Sequence, residues 1–153
     1  MIHLDYDTKI LSKSTDARIY KGATLLTEGE FSDSITRSPV VYTQEEISKS
    51  AGNWTQNYLN LDHSFDVRDR LGFVKDTYFS KGVVKGDLYI FPITQAARDT
   101  IALIDAGLVN WLSVEITTED YWNEDDNKRY ASNIEFIGAA ICLYPACEGT
   151  RIK

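Results

Sequence analysis

Apolar and polar positions alternate over several short stretches of this chain and follow a helical period over only two. From Ala17 to Leu26 the run Ala-Arg-Ile-Tyr-Lys-Gly-Ala-Thr-Leu-Leu mixes β-branched and aromatic residues with polar ones, which favours a strand. Tyr58 to His63, Arg70 to Val74 and Asp87 to Phe91 are three more strand-like runs, separated by turn-rich text. Trp111-Leu112-Ser113-Val114-Glu115-Ile116-Thr117 alternates, with Ser113, Glu115 and Thr117 on one face. An acidic turn from Glu119 to Lys128 leads into a run from Tyr130 to Leu143. Its portion from Phe136 to Tyr144 has no charge, the composition of a strand covered on both faces.

Two segments read as helix. Thr43-Gln44-Glu45-Glu46 matches a capping box and predicts a short helix to about Ser50, closed by Gly52-Asn53. From Thr94 to Ala106, the apolar residues Ala97, Ile101, Ile104 and Leu108 recur at helical spacing, with Thr94 as cap and Gly107 as stop. Strands outnumber helices and their order is mixed. The expectation is an α+β fold, a mostly antiparallel β-sheet or closed barrel with a few flanking helices. No repeat or proline-rich linker divides the text, so residues 1–153 read as one domain, with residues 1–16 as a loosely attached arm.

Composition narrows the function. A chain of 153 residues with 43% hydrophobic and 25% charged positions can bury a full core without a metal or disulfide staple. The net charge of −7 argues against duplex nucleic acid, whose phosphates select clustered Lys and Arg. No apolar run is long enough to cross a bilayer, and the opening residues lack a signal peptide's basic and apolar regions, so the cytosol is the expected compartment. Cys142 and Cys147 read as reduced thiols. The carboxylates between Glu119 and Asp126 lack the calcium-loop rhythm, and neither a metal nor a cofactor is expected.

Hydrolysis by a serine requires an oxygen nucleophile, a base near neutrality and a group that fixes the base's tautomer. Ser113 and His63 can supply the first two, each in or at the end of a strand-like run. Taken alone, such a pair reads first as the polar face of a half-exposed strand and a solvated loop residue.

Three blocks of text change that reading. Asn60-Leu61-Asp62-His63 followed by Arg70-Leu71-Gly72-Phe73-Val74 resembles the catalytic-histidine segment of the tailed-phage prohead proteases, serine proteases of capsid maturation related in fold to the herpesvirus assemblins. Gly86 to Ile90, the helix with Ala97-Arg98 and Leu103-Ile104, Gly107, and Trp111-Leu112-Ser113-Val114-Glu115-Ile116 are similar to the family's path to its nucleophile. Gly138-Ala139-Ala140-Ile141-Cys142-Leu143-Tyr144-Pro145-Ala146 is similar to its terminal strand and Pro-Ala turn. The resemblance implies an assemblin-like fold and an endopeptidase with Ser113 as nucleophile and His63 as general base. It implies scaffold and capsid proteins as substrates, inside the immature capsid in the host cytoplasm, and admits a homodimer. It implies oxyanion donors at the backbone of Ala146 and Cys147.

The third member departs from the pattern. Gly138 stands where relatives carry an acidic residue or a histidine. The branch of the family closest in wording places its acid in the N-terminal region, which here points to Asp33. Glu135 shares the terminal strand, but three positions away puts it on the opposite face unless a bulge intervenes. Glu115 shares Ser113's face, roughly 6.5 to 7 Å along the strand. Gly138 also leaves open a catalytically inactive, scaffold-binding version of the fold.

Overall fold

The computed structural model describes residues 16–32, 38–145, 147 and 149–153. In chain order the elements are β1 (Arg18–Thr27), β2 (Gly29–Ser32), β3 (Pro39–Tyr42), α1 (Gln44–Ser50), β4 (Trp54–Leu61), a 3₁₀ turn (Val67–Asp69), β5 (Arg70–Ser80), β6 (Val83–Ile90), α2 (Gln95–Asp105), β7 (Trp111–Asn123) and β8 (Lys128–Cys142). The expected arm falls almost wholly outside the described residues.

All eight strands join one curled sheet in the order β1-β6-β5-β4-β8-β3-β2, with β7 also paired to β8. The same stretch of β8 pairs with β4 and with β7, so it lies between them. Among the described residues, five of the seven strand pairings are antiparallel, as expected, but β4 and β3 run parallel to β8, so the sheet is mixed. The cause is a crossover. The chain leaves β4 through β5, β6, α2 and β7 before β8 returns beside β4, and a long connection of that kind permits parallel pairing where a hairpin does not. The sheet curls as a half-barrel, short of the closed barrel considered above. The C-terminal segment joins β1 to the start of β7, through Thr24 and Arg151 at 2.9 and 3.0 Å and Ile152 to the Asn110 carbonyl at 3.0 Å.

Buried apolar residues from successive elements form one core: Leu25, Leu59, Leu88, Ile104, Leu112 and Phe136 are all essentially inaccessible. Trp54 stacks on Phe136 at 5.1 Å. The Thr94 hydroxyl accepts from the Ala97 N–H at 3.1 Å and caps α2 as the sequence predicts. Leu108, however, is 71% exposed: α2 ends at Asp105 and Gly107 adopts φ +76°, so the helical period stops before Leu108 can join the core. At α1 the cap is half a capping box. Glu46 donates its N–H to Thr43, but its carboxylate pairs with Lys49 at 3.0 Å.

Two hairpins outgrow their predicted strands. β5 and β6 form one long hairpin closed by Lys81-Gly82, both at positive φ, as a two-residue turn requires. β7 and β8 stay paired to Asn123 and Lys128, so the acidic turn shrinks to residues 124–127. Stacking of Tyr121 on Tyr130 at 5.6 Å, unreadable from charge alone, extends the ladder. No helix among the described residues is long and apolar enough to cross a membrane.

One glycine is required by sheet contact. A Cβ at Gly72 would lie 1.7 Å from the Tyr89 carbonyl oxygen on β6, a backbone atom that cannot swing aside. Gly72→Ala is therefore expected to lower stability by about 3 kcal/mol, read as a lower urea midpoint; an unchanged midpoint contradicts this packing.

Candidate active site

β8 carries small residues where its neighbours carry long polar ones. Gly138 faces Tyr58 on β4 and Glu115 on β7, and Ala140 faces Asn60 and Ser113 on the same two strands. Alternate residues of a strand point to one side. Tyr58, Asn60, Gly138, Ala140, Ser113 and Glu115 therefore share a face, while Leu59, Ala139 and Leu112 turn into the core.

β4 ends in a reversal that aims His63. The Ser64 N–H donates to the Leu61 carbonyl at 3.0 Å, and Asp62 and His63 take φ values of 50° and 55°, the signature of a type I′ turn. The Asp62 N–H donates to the Ile141 carbonyl at 2.8 Å and fastens the turn to the end of β8. Left-handed backbone at two non-glycine residues costs on the order of 1 kcal/mol or more each, and such strain persists where surrounding contacts impose it. The turn sets the imidazole against β7, with Nδ1 2.9 Å from Glu115 Oε1. Because a carboxylate only accepts, Nδ1 carries the proton and the neutral ring keeps its lone pair on Nε2.

Glu115 has a second donor. The Tyr58 hydroxyl donates to its Oε2. Two strand spacings separate the backbones of these residues, about 10 Å, so their side chains meet above β8. They can do so because position 138 is bare: a Cβ there would lie 2.6, 2.7 and 2.8 Å from three carbons of the Tyr58 ring. The Arg70 guanidinium lies 4.8 Å from the centroid of the same ring and donates through Nε to Asn60 Oδ1 at 2.6 Å. Burial, and then the bond to Glu115, push the Tyr58 phenol up to about 12.

These groups line a cleft of about 760 Å³ that includes His63, Ser113, Glu115, Tyr58, Arg70 and Cys147. A second recess of about 480 Å³ shares Asn60, Phe65 and Arg70 with it and is walled by Phe73, Phe91 and Ile93. Thr150, fully buried, donates its hydroxyl to the Leu112 carbonyl and fixes the C-terminal turn beside Ser113; it also bonds the Cys147 carbonyl at 2.9 Å. The Cys147 thiol is buried, 3.3 Å from the Thr27 hydroxyl. Cys142 is a free thiol away from the cleft, its pKa raised by burial.

The structure thus brings Ser113, His63 and Cys147 to one cleft and places Glu115 on the imidazole. Asp33 and Ala146 lie outside the described residues. Glu135 is exposed opposite Thr117 and does not line the cleft. Sequence reasoning passed over Tyr58 and Arg70. The available signal was Gly138 itself, since a glycine inside an apolar strand marks the close approach of another group.

No family model and no curated protein matches the chain. Among solved structures, the capsid assembly protease gp21 of bacteriophage T4 is similar, with a TM-score of 0.49 and 10% identity over 84% of this chain and 99% of that one.

The raised Tyr58 phenol has a measurable consequence. Below the ordinary phenol value of 10, folded and unfolded chains both keep the proton. Between 10 and about 12 the unfolded chain releases it and the folded chain does not, so stability falls as pH rises through that window. Urea midpoints across it should decline less steeply in Tyr58→Phe than in the wild type. Tyr20, raised by burial and its bond to Asp105, and Tyr130, raised by its bond to Asp126, retain slopes of their own. Identical slopes contradict the buried, hydrogen-bonded state of Tyr58.

Proposed function

We propose that the chain is a serine endopeptidase in which Ser113 is the nucleophile, His63 the general base and Glu115 the carboxylate that orients the base. The observation that supports this reading best is the 2.9 Å contact of His63 Nδ1 with Glu115 Oε1 in the cleft that Ser113 lines. In the neutral ring this contact puts the proton on Nδ1 and leaves the Nε2 lone pair free, the state a base needs.

His63 Nε2 takes the Ser113 proton as Oγ attacks the peptide carbonyl, and Glu115 stabilises the imidazolium that forms. The tetrahedral intermediate collapses to an acyl-enzyme while His63 returns the proton to the leaving amine. A water, deprotonated by His63, then attacks the ester; as the bond to Ser113 Oγ breaks, His63 returns the proton to that oxygen and the acid product leaves. By the sequence resemblance, the backbone N–H groups of Ala146 and Cys147 are the proposed donors to the carbonyl oxygen; Thr150, bonded to the Cys147 and Leu112 carbonyls, holds Cys147 close to β7. By the sequence resemblance, the substrates are scaffold and capsid segments within an immature phage shell. The inactive reading rested on Gly138. With a carboxylate arriving from β7, a glycine at 138 no longer removes the orienting group.

Ser113→Ala and His63→Ala should each reduce cleavage of a co-expressed scaffold protein by about 10⁴-fold or more, and Glu115→Gln by a similar factor. Normal cleavage by the first two variants refutes the mechanism and leaves the scaffold-binding alternative. Normal cleavage by Glu115→Gln together with loss in Asp33→Asn moves the orienting role to Asp33.

A further inference from the structure

We infer that Tyr58 is a positioning residue for the His63 imidazole, acting through Glu115 across the bare backbone of Gly138; the inference rests on the proposed roles of His63 and Glu115. His63 sits on a turn with its side chain 45% exposed, so packing does not fix the direction of the ring. Its partner must. A glutamate has three side-chain torsions, and a single bond to Oε1 leaves the carboxylate able to pivot. The Tyr58 hydroxyl on Oε2 removes that freedom.

Tyr58 can do this because it is itself immobile. It is 7% exposed, Gly138 lies against its ring, and the Arg70 guanidinium, tied to Asn60, stacks on it. Rigidity passes from a packed ring to a carboxylate, and from the carboxylate to an exposed imidazole. The consequence is chemical as well as mechanical. A neutral imidazole free in water favours the tautomer protonated on Nε2, which would present an N–H to Ser113 in place of a lone pair. A fixed acceptor at Nδ1 reverses that preference. The same contact explains the glycine at 138, since any side chain there displaces the Tyr58 ring and with it the second donor.

The test reads the tautomer directly. The chain has two histidines, His3 and His63, so ¹⁵N-histidine spectra of the full chain are assignable with a His3→Gln variant. At mildly alkaline pH, wild-type His63 should be protonated mainly on Nδ1. Tyr58→Phe, which keeps the ring, and Gly138→Ala, which displaces it, should both move His63 toward the Nε2–H form. Each should slow modification of Ser113 by diisopropyl fluorophosphate about ten- to hundredfold. The double variant should be no slower than the slower single one, because both changes remove the same bond. An unchanged tautomer in Tyr58→Phe, or effects that add in the double variant, overturns the positioning role. Wild-type Ser113 that resists the reagent overturns the proposed function instead, and the spectra still report on Tyr58.

Discussion

A carboxylate shared by two donors across an empty position organises this structure's polar face. Glu115 receives His63 on one oxygen and Tyr58 on the other, and the two donors belong to β4 and its terminal turn while the acceptor belongs to β7. β8 separates them. Only a residue without a side chain at 138 lets a tyrosine lie across that strand, so one missing Cβ decides which groups can meet. Ala140 repeats the arrangement one row on, where Asn60 and Ser113 flank it.

Much of the rest serves to bring these three strands into register. The crossover through β5, β6, α2 and β7 inserts β8 parallel to β4 and antiparallel to β7. The apolar half of each strand, Leu59, Ala139 and Leu112, anchors the arrangement from the core side. The turn at Asp62-His63 takes on backbone strain to aim the imidazole, and its bond to Ile141 ties that strain to β8. The C-terminal segment closes the other flank, with Thr150 buried between Leu112 and Cys147.

Local patterns in the text were a good guide to elements and a poor one to contacts. Thr94 and Gly107 bracket α2, Thr43 caps α1, and the uncharged run is covered on both faces as far as Cys142, with Leu143 and Tyr144 exposed beyond the strand, because caps and burial depend on near neighbours. The parallel pairing of β4 with β8 was not readable, since nothing local distinguishes it from a hairpin partner. The long hairpins were also missed, where a Lys-Gly turn and a tyrosine stack carry polar strands further than hydrophobic alternation suggests. At the site, Ser113 and His63 stood out by residue type and wording. Glu115 was one of three candidate carboxylates, because which of them reaches the ring depends on which strand lies beside β8. Tyr58 was silent: its role exists only once Gly138 is known to lie beneath its ring.

The most direct test of the account is whether Ser113 is a nucleophile that His63 activates. Incubation of the folded chain with a fluorophosphonate, followed by peptide mass spectrometry, should find one covalent adduct on Ser113 in the wild type and none in His63→Ala. An unmodified Ser113, or equal modification in both proteins, would contradict it.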